Sequence, residues 1–233
     1  MLAVALGLMT GCTGDPSEAA AGATPTTGLT SLTAAGTATP PPSEPSPAAS
    51  PSEATSTFTD EQQAAAVDVE AAYRRYVVEK RRFINAVLAG SQDGVPIVTP
   101  EMQQIIEGVA VSPQLGYVST EPSVALQRYS AARGMVGETA ITALEVTDVT
   151  LFPEPRTVDG RQGVLGVATV RTCTDARSSR AVDEAGNLLQ PAPEGSRIFS
   201  ETYELSFQPS PQNDTVAWFV ADGRNEQVPE CAL

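Results

Sequence analysis

An α+β fold is predicted for residues 58–233 of this 233-residue chain: N-terminal helices packed on an antiparallel sheet of about four strands, preceded by a disordered tether. Three observations predict it. Apolar residues recur at helical spacing from Val69 to Leu88. From Ala140 onward the apolar period falls to two. Between Met9 and Phe58 there are almost no bulky apolar residues, and Pro, Ala, Ser and Thr dominate. Helices first and strands afterwards is the α+β pattern.

Charge and composition narrow the function. The net charge is −14, and every Lys and Arg lies at or beyond Arg74. An acidic chain is repelled by phosphate backbones, so no nucleic-acid partner is expected. The same charge disfavours docking on anionic lipid heads, so any membrane attachment has to be covalent. With no histidine, Ser-His-Asp and Cys-His triads and His-ligated zinc are excluded. Three cysteines are too few for a Cys-rich zinc site, and neither phosphate-binding glycine motif occurs, so no metal and no cofactor is expected.

Residues 1–11 form a leader. Leu2 to Met9 is apolar but far short of the roughly 20 residues that span a bilayer. It fits the apolar part of a secretion signal. Met9-Thr10-Gly11-Cys12 resembles the cleavage site of a bacterial lipoprotein signal, with an apolar residue three before the cysteine and a small one just before it. The resemblance implies that Cys12 is lipidated and holds the protein to the outer, extracytoplasmic face of the cell membrane. The alternative is a secreted soluble protein. Two departures stand out: Met9 replaces the usual Leu, and no basic n-region precedes Arg74. The second leads to the expectation of a true start upstream of Met1, or of a wrongly chosen one.

Residues 12–57 read as a linker. The run Ala38-Thr39-Pro40-Pro41-Pro42-Ser43-Glu44-Pro45 is typical of it. Such a segment cannot bury enough apolar area to offset its ordering entropy. Largely extended, it reaches on the order of 100 Å, as a spacer or as a passive tail.

Thr59-Asp60-Glu61-Gln62 is a capping box that opens a long helix ending near Ala89–Gly90. Val69, Tyr73, Tyr76, Val77, Phe83, Ile84, Val87 and Leu88 share its apolar face. Thr99-Pro100-Glu101 opens a second helix that ends at Gly108. Pro113 and Gly116 mark a loop, and a third helix is expected from Ser123 to about Met135. Ile141 to Leu151 forms a first strand, Pro153 to Gly163 a polar turn region holding Asp159-Gly160, and Val164 to Asp175 a second strand. A turn at Asp183–Asn187, a strand over Arg197–Phe207, a turn at Asn213-Asp214 and a strand over Thr215–Asp222 complete the chain.

The order of elements resembles the nuclear transport factor 2-like fold, a cone whose helices cover a curved sheet. The opening helix, with Ala71-Ala72-Tyr73-Arg74-Arg75-Tyr76, is similar to that of many actinobacterial lipoproteins of this layout. The resemblance implies a cysteine on a middle strand and another near the C-terminus, and Cys173 and Cys231 stand there. With Cys12 taken by lipid, two cysteines remain in an oxidising compartment, so a Cys173–Cys231 disulfide is predicted. Its 58-residue loop is worth about 4 kcal/mol in the chain-entropy model.

Tyr73, Tyr76, Phe83 and Trp218 are candidates to line a cavity in the cone, or simply core. Enzymes of the fold project an Asp, Tyr or His inward, and Tyr73, Tyr76, Tyr129, Asp148 and Asp175 are the residues on offer, with no spacing that singles one out. Arg74, Arg75, Lys80, Arg81 and Arg82 are a basic cluster, read either as a solvated helix face or as an anion-docking face. The expected function is non-enzymatic binding of a small hydrophobic ligand or an envelope protein. The alternatives are an enzyme of the same fold acting on a hydrophobic small molecule, and a structural subunit of an envelope complex. A cone filled by Tyr73, Phe83 and Trp218 favours the binding module; a deep apolar cavity with a buried Asp or Tyr favours the enzyme.

Overall fold

The computed structural model describes residues 58–189, 197–231 and 233. The chain divides into two units, Met1–Glu53 and Ala54–Leu233, and the described residues all belong to the second. The leader, Cys12 and the linker lie outside them.

Three helices pack on one face of a curved four-stranded antiparallel sheet. Helix α1 spans Asp60–Gly90, α2 Pro100–Glu107 and α3 Gln114–Arg128. The strands are β1 (Gly134–Val136), β2 (Ala140–Val158), β3 (Arg161–Asp175), β4 (Arg180–Val182), β5 (Ile198–Pro209) and β6 (Val216–Val228). The main sheet runs β2-β3-β5-β6, and β1 pairs with β4 in a separate small ribbon.

The predicted capping box closes both ways: the Thr59 hydroxyl accepts from Gln62 N, and Gln62 Oε1 accepts from Thr59 N. Gln62 Nε2 also donates to Val149 O at 2.7 Å, which stitches the start of α1 to β2. Thr99 caps α2 with Pro100 in its first turn, as expected. No helix among the described residues is long and apolar enough to cross a membrane.

The third helix is a correction. It begins at Gln114, nine residues before the expected start, and carries Pro122 inside it. Pro122 has no N–H to offer Val118 O, and its ring crowds that carbonyl. But Val118, Pro122 and Leu126 are all buried at four-residue spacing. Burial of this face holds the helix together across the proline. Met135, expected at the end of this helix, pairs instead with Ala181 in the β1–β4 ribbon.

β2 runs through Pro153 and Pro155 to Val158, beyond the expected boundary. β2 is an edge strand, so a proline's missing N–H costs less there. The pairing to β3 also skips from Leu151 to Arg156, over both prolines. Asp159 and Gly160 then turn the hairpin with φ of 47° and 81°, both in the left-handed region that this two-residue turn requires. Register shifts in β2–β3 and at Glu204/Leu205 in β5–β6 curve the sheet. The outer edge of β6 is covered where Val109–Val111 runs alongside it: Val220 N donates to Val109 O and Val111 N to Val220 O.

Cys173 and Cys231 are disulfide-bonded, with Cα atoms 5.8 Å apart. The bond ties Cys231, beyond β6, to the C-terminal end of β3.

Candidate functional site

The concave face of the sheet is filled. Val69, Tyr73, Tyr76, Phe83 and Val87 of α1 meet Val149, Ala168, Val170, Tyr203, Leu205, Trp218 and Val220 of the sheet in one cluster. Tyr73 and Tyr76 are 1 % exposed, Phe83 0 % and Trp218 5 %. All four expected lining residues are therefore packed in the core.

A glycine makes room for an aromatic ring at each of two places. A Cβ on Gly166 would sit 3.3 Å from the Trp218 ring and 3.0 Å from Thr150 O. Trp218 lies over that strand and packs on Phe207, centroids 5.1 Å apart. A Cβ on Gly223 would sit 2.3 Å from the Tyr203 ring, closer than any Cβ tolerates. Gly223 is the register partner of Tyr203, so the ring lies across the bare backbone.

Tyr203 joins Tyr73 and Tyr76 in a three-ring cluster with centroids 5.2, 5.8 and 6.2 Å apart. Glu201 accepts from the Tyr73 and Tyr203 hydroxyls, at 3.4 Å each. Burial raises the Glu201 carboxyl above the usual range, and Lys80, Thr174 and the two tyrosines only partly counter it. Burial likewise pushes the Tyr73 and Tyr203 hydroxyls above their usual range, and Tyr76 up to about 12. Burial works against the Lys80 charge, but Tyr76, Glu121 and Glu201 more than offset it, and the ammonium is held above its usual range.

This cluster backs onto a cleft of about 360 Å³. Its walls are Lys80 of α1, Gln114, Tyr117 and Glu121 of α3, Tyr203 of β5 and the Gly223–Asn225 stretch of β6. Gln114, Tyr117 and Glu121 stand at i, i+3 and i+7, one face of α3. Tyr73, Tyr76 and Lys80 share the same spacing on α1. Lys80 Nζ pairs with Glu121 Oε1 at 2.7 Å across the mouth. Gln114 is only 5 % exposed; its Nε2 donates to Tyr76 Oη at 2.6 Å, and its Oε1 has no partner among the described residues.

The other sequence candidates lie elsewhere. Tyr129 follows α3 as its C-cap. Asp148 is exposed on β2. Asp175 pairs with Arg177, whose hydrogen bonds hold its carboxyl below the usual range. The basic run on α1 disperses: Arg74 pairs with Glu70, Arg82 with Glu79, Lys80 with Glu121, and Arg81 reaches Ser179 Oγ and Gly137 O. Sequence reasoning missed Gln114, Glu121 and Glu201. For Gln114 and Glu121 the available signal was the α3 spacing, which the wrong helix start hid; Glu201, on β5, carries no such local signal.

A wider depression of about 800 Å³ lies between Ala89–Asp93, Arg133 and Asp183–Glu184. There Asp183 is held by Asn187, and Arg133 by the Ser130 and Ala132 carbonyls. No metal-holding cluster occurs among the described residues. No protein-family model and no curated protein matches the chain.

Proposed function

We propose that the chain is a lipid-anchored extracytoplasmic protein whose cone-shaped, nuclear transport factor 2-like domain is a non-enzymatic binding module. Cys12 carries the lipid, and residues 12–57 tether the domain to the membrane's outer face. Two or three acyl chains, at about 0.8 kcal/mol per buried methylene, give stable attachment where one is marginal. The observation that carries the reading is the filled cone, with Tyr73, Tyr76, Phe83 and Trp218 occupying the space that a substrate would need. Against this core a small polar cleft stays open beside Gln114. Its walls include no aliphatic side chain, which favours a polar ligand over the hydrophobic one expected from the resemblance.

The enzyme reading draws on Glu201, a buried carboxyl with a raised pKa between two tyrosines. Glu201 is not among the cleft-lining residues, so it touches no ligand placed there. Metabolic labelling of the full chain with an alkyne fatty acid, followed by membrane fractionation, tests the anchor. Label and membrane retention are expected in the natural chain and lost in Cys12→Ala. A Cys12→Ala chain retained equally well contradicts the anchor.

A further inference from the structure

We infer that the cleft beside Gln114 takes an uncharged, polyhydroxylated ligand the size of a mono- or disaccharide. The inference rests on the binding-module reading and names its ligand class. A buried amide oxygen without a partner costs free energy unless a ligand supplies the missing donor. Gln114 Oε1 is such an atom, in a side chain 95 % removed from solvent on the wall of the cleft. Turning the amide over exchanges which end is left open. A hydroxyl both donates and accepts, so it satisfies either end.

The wall carries both signs, Lys80 and Arg224 with Glu121, so an ion of either sign meets a like charge. Lys80, held protonated by its neighbours, repels a cationic ligand. Glu121 on the wall repels an anionic one. The Lys80–Glu121 pair still presents donors and acceptors side by side, as vicinal hydroxyls require. Tyr117, 57 % exposed on the same face of α3, offers a flat apolar ring to the C–H face of a pyranose. The volume, about 360 Å³, is at the low end for small-molecule sites and suits one or two sugar rings.

Saturation-transfer NMR on the full chain in a sugar-free detergent tests the assignment. The probes are glucose, mannose, galactose, N-acetylglucosamine and their homodisaccharides, with inorganic phosphate and choline as charged comparators. At least one neutral sugar is expected to bind. Gln114→Leu should weaken it about tenfold and Tyr117→Ala about fivefold. Tyr117 is exposed, so its variant keeps the test alive even where the Gln114 variant does not fold. Binding of phosphate or choline without any sugar overturns the ligand class and leaves the binding module standing. No binding by any probe overturns both. Sugar binding untouched by Tyr117→Ala overturns the placement.

Discussion

The core between α1 and the sheet has two ends built on one plan and finished differently. At one, Trp218 lies over Gly166 and packs on Phe207, and the side chains that meet there are aromatic and aliphatic. At the other, Tyr203 lies over Gly223, and its hydroxyl enters a network with Tyr73 and Glu201 beside Tyr76, Gln114 and Lys80. The first end is closed by packing alone. The second keeps buried polar atoms, one of them unpartnered, and opens to solvent. Burying polar groups is costly, so the second end is where stability has been given up, and that is the reason for placing function there.

The difference can be tested from the largest effect down. Trp218→Ala removes the apolar end's largest ring and should cost about 3–5 kcal/mol in urea unfolding followed by circular dichroism. Gly223→Ala forces the Tyr203 ring to move and should cost about 1–3 kcal/mol. It should also abolish ligand binding, whereas Trp218→Ala should spare it in whatever fraction stays folded. Tyr73→Phe deletes one long hydrogen bond to Glu201 and should cost about 1 kcal/mol or less.

Two pH effects belong to the polar end alone. The folded chain holds the Glu201 proton to higher pH than the unfolded chain does. The stability this contributes is full below the ordinary carboxylate value and is lost as pH rises through the raised one. Glu201→Gln should therefore be the more stable protein near neutral pH and match the natural chain at about pH 3. The tyrosines follow the same sign at alkaline pH. Tyr76 moves from 10.0 to about 12, so stability is lost through that window. An ultraviolet titration should find Tyr73, Tyr76 and Tyr203, three of the five tyrosines, still protonated past the ordinary value in the folded chain.

The apolar end was largely legible in the sequence, and the polar end was not. The stripe from Val69 to Leu88 and the alternation around Trp218 depend on periodicity, which local sequence carries. The capping box at Thr59, the start at Thr99-Pro100 and the Asp159-Gly160 turn are local chemistry too, and all three appear. The breaks in β2 were hidden because prolines on an edge strand are tolerated only once the edge is known. The β1–β4 ribbon is too short to show a period. Pro122 misplaced α3, and with it Gln114, Tyr117 and Glu121, because only tertiary burial keeps that helix continuous. Glu201 became visible only when register put it between two tyrosines from different elements.

The central claim is that the core between α1 and the sheet is filled and that the proposed binding takes place at the polar cleft beside it. Trp218 is the single tryptophan and reports directly on the interior. Its fluorescence in the full chain, titrated with acrylamide, should be blue-shifted, poorly quenched and unchanged when the cleft is saturated with ligand. Red-shifted emission that acrylamide quenches readily, or that ligand protects, would mean an open interior that takes its ligand inside, and would contradict the account.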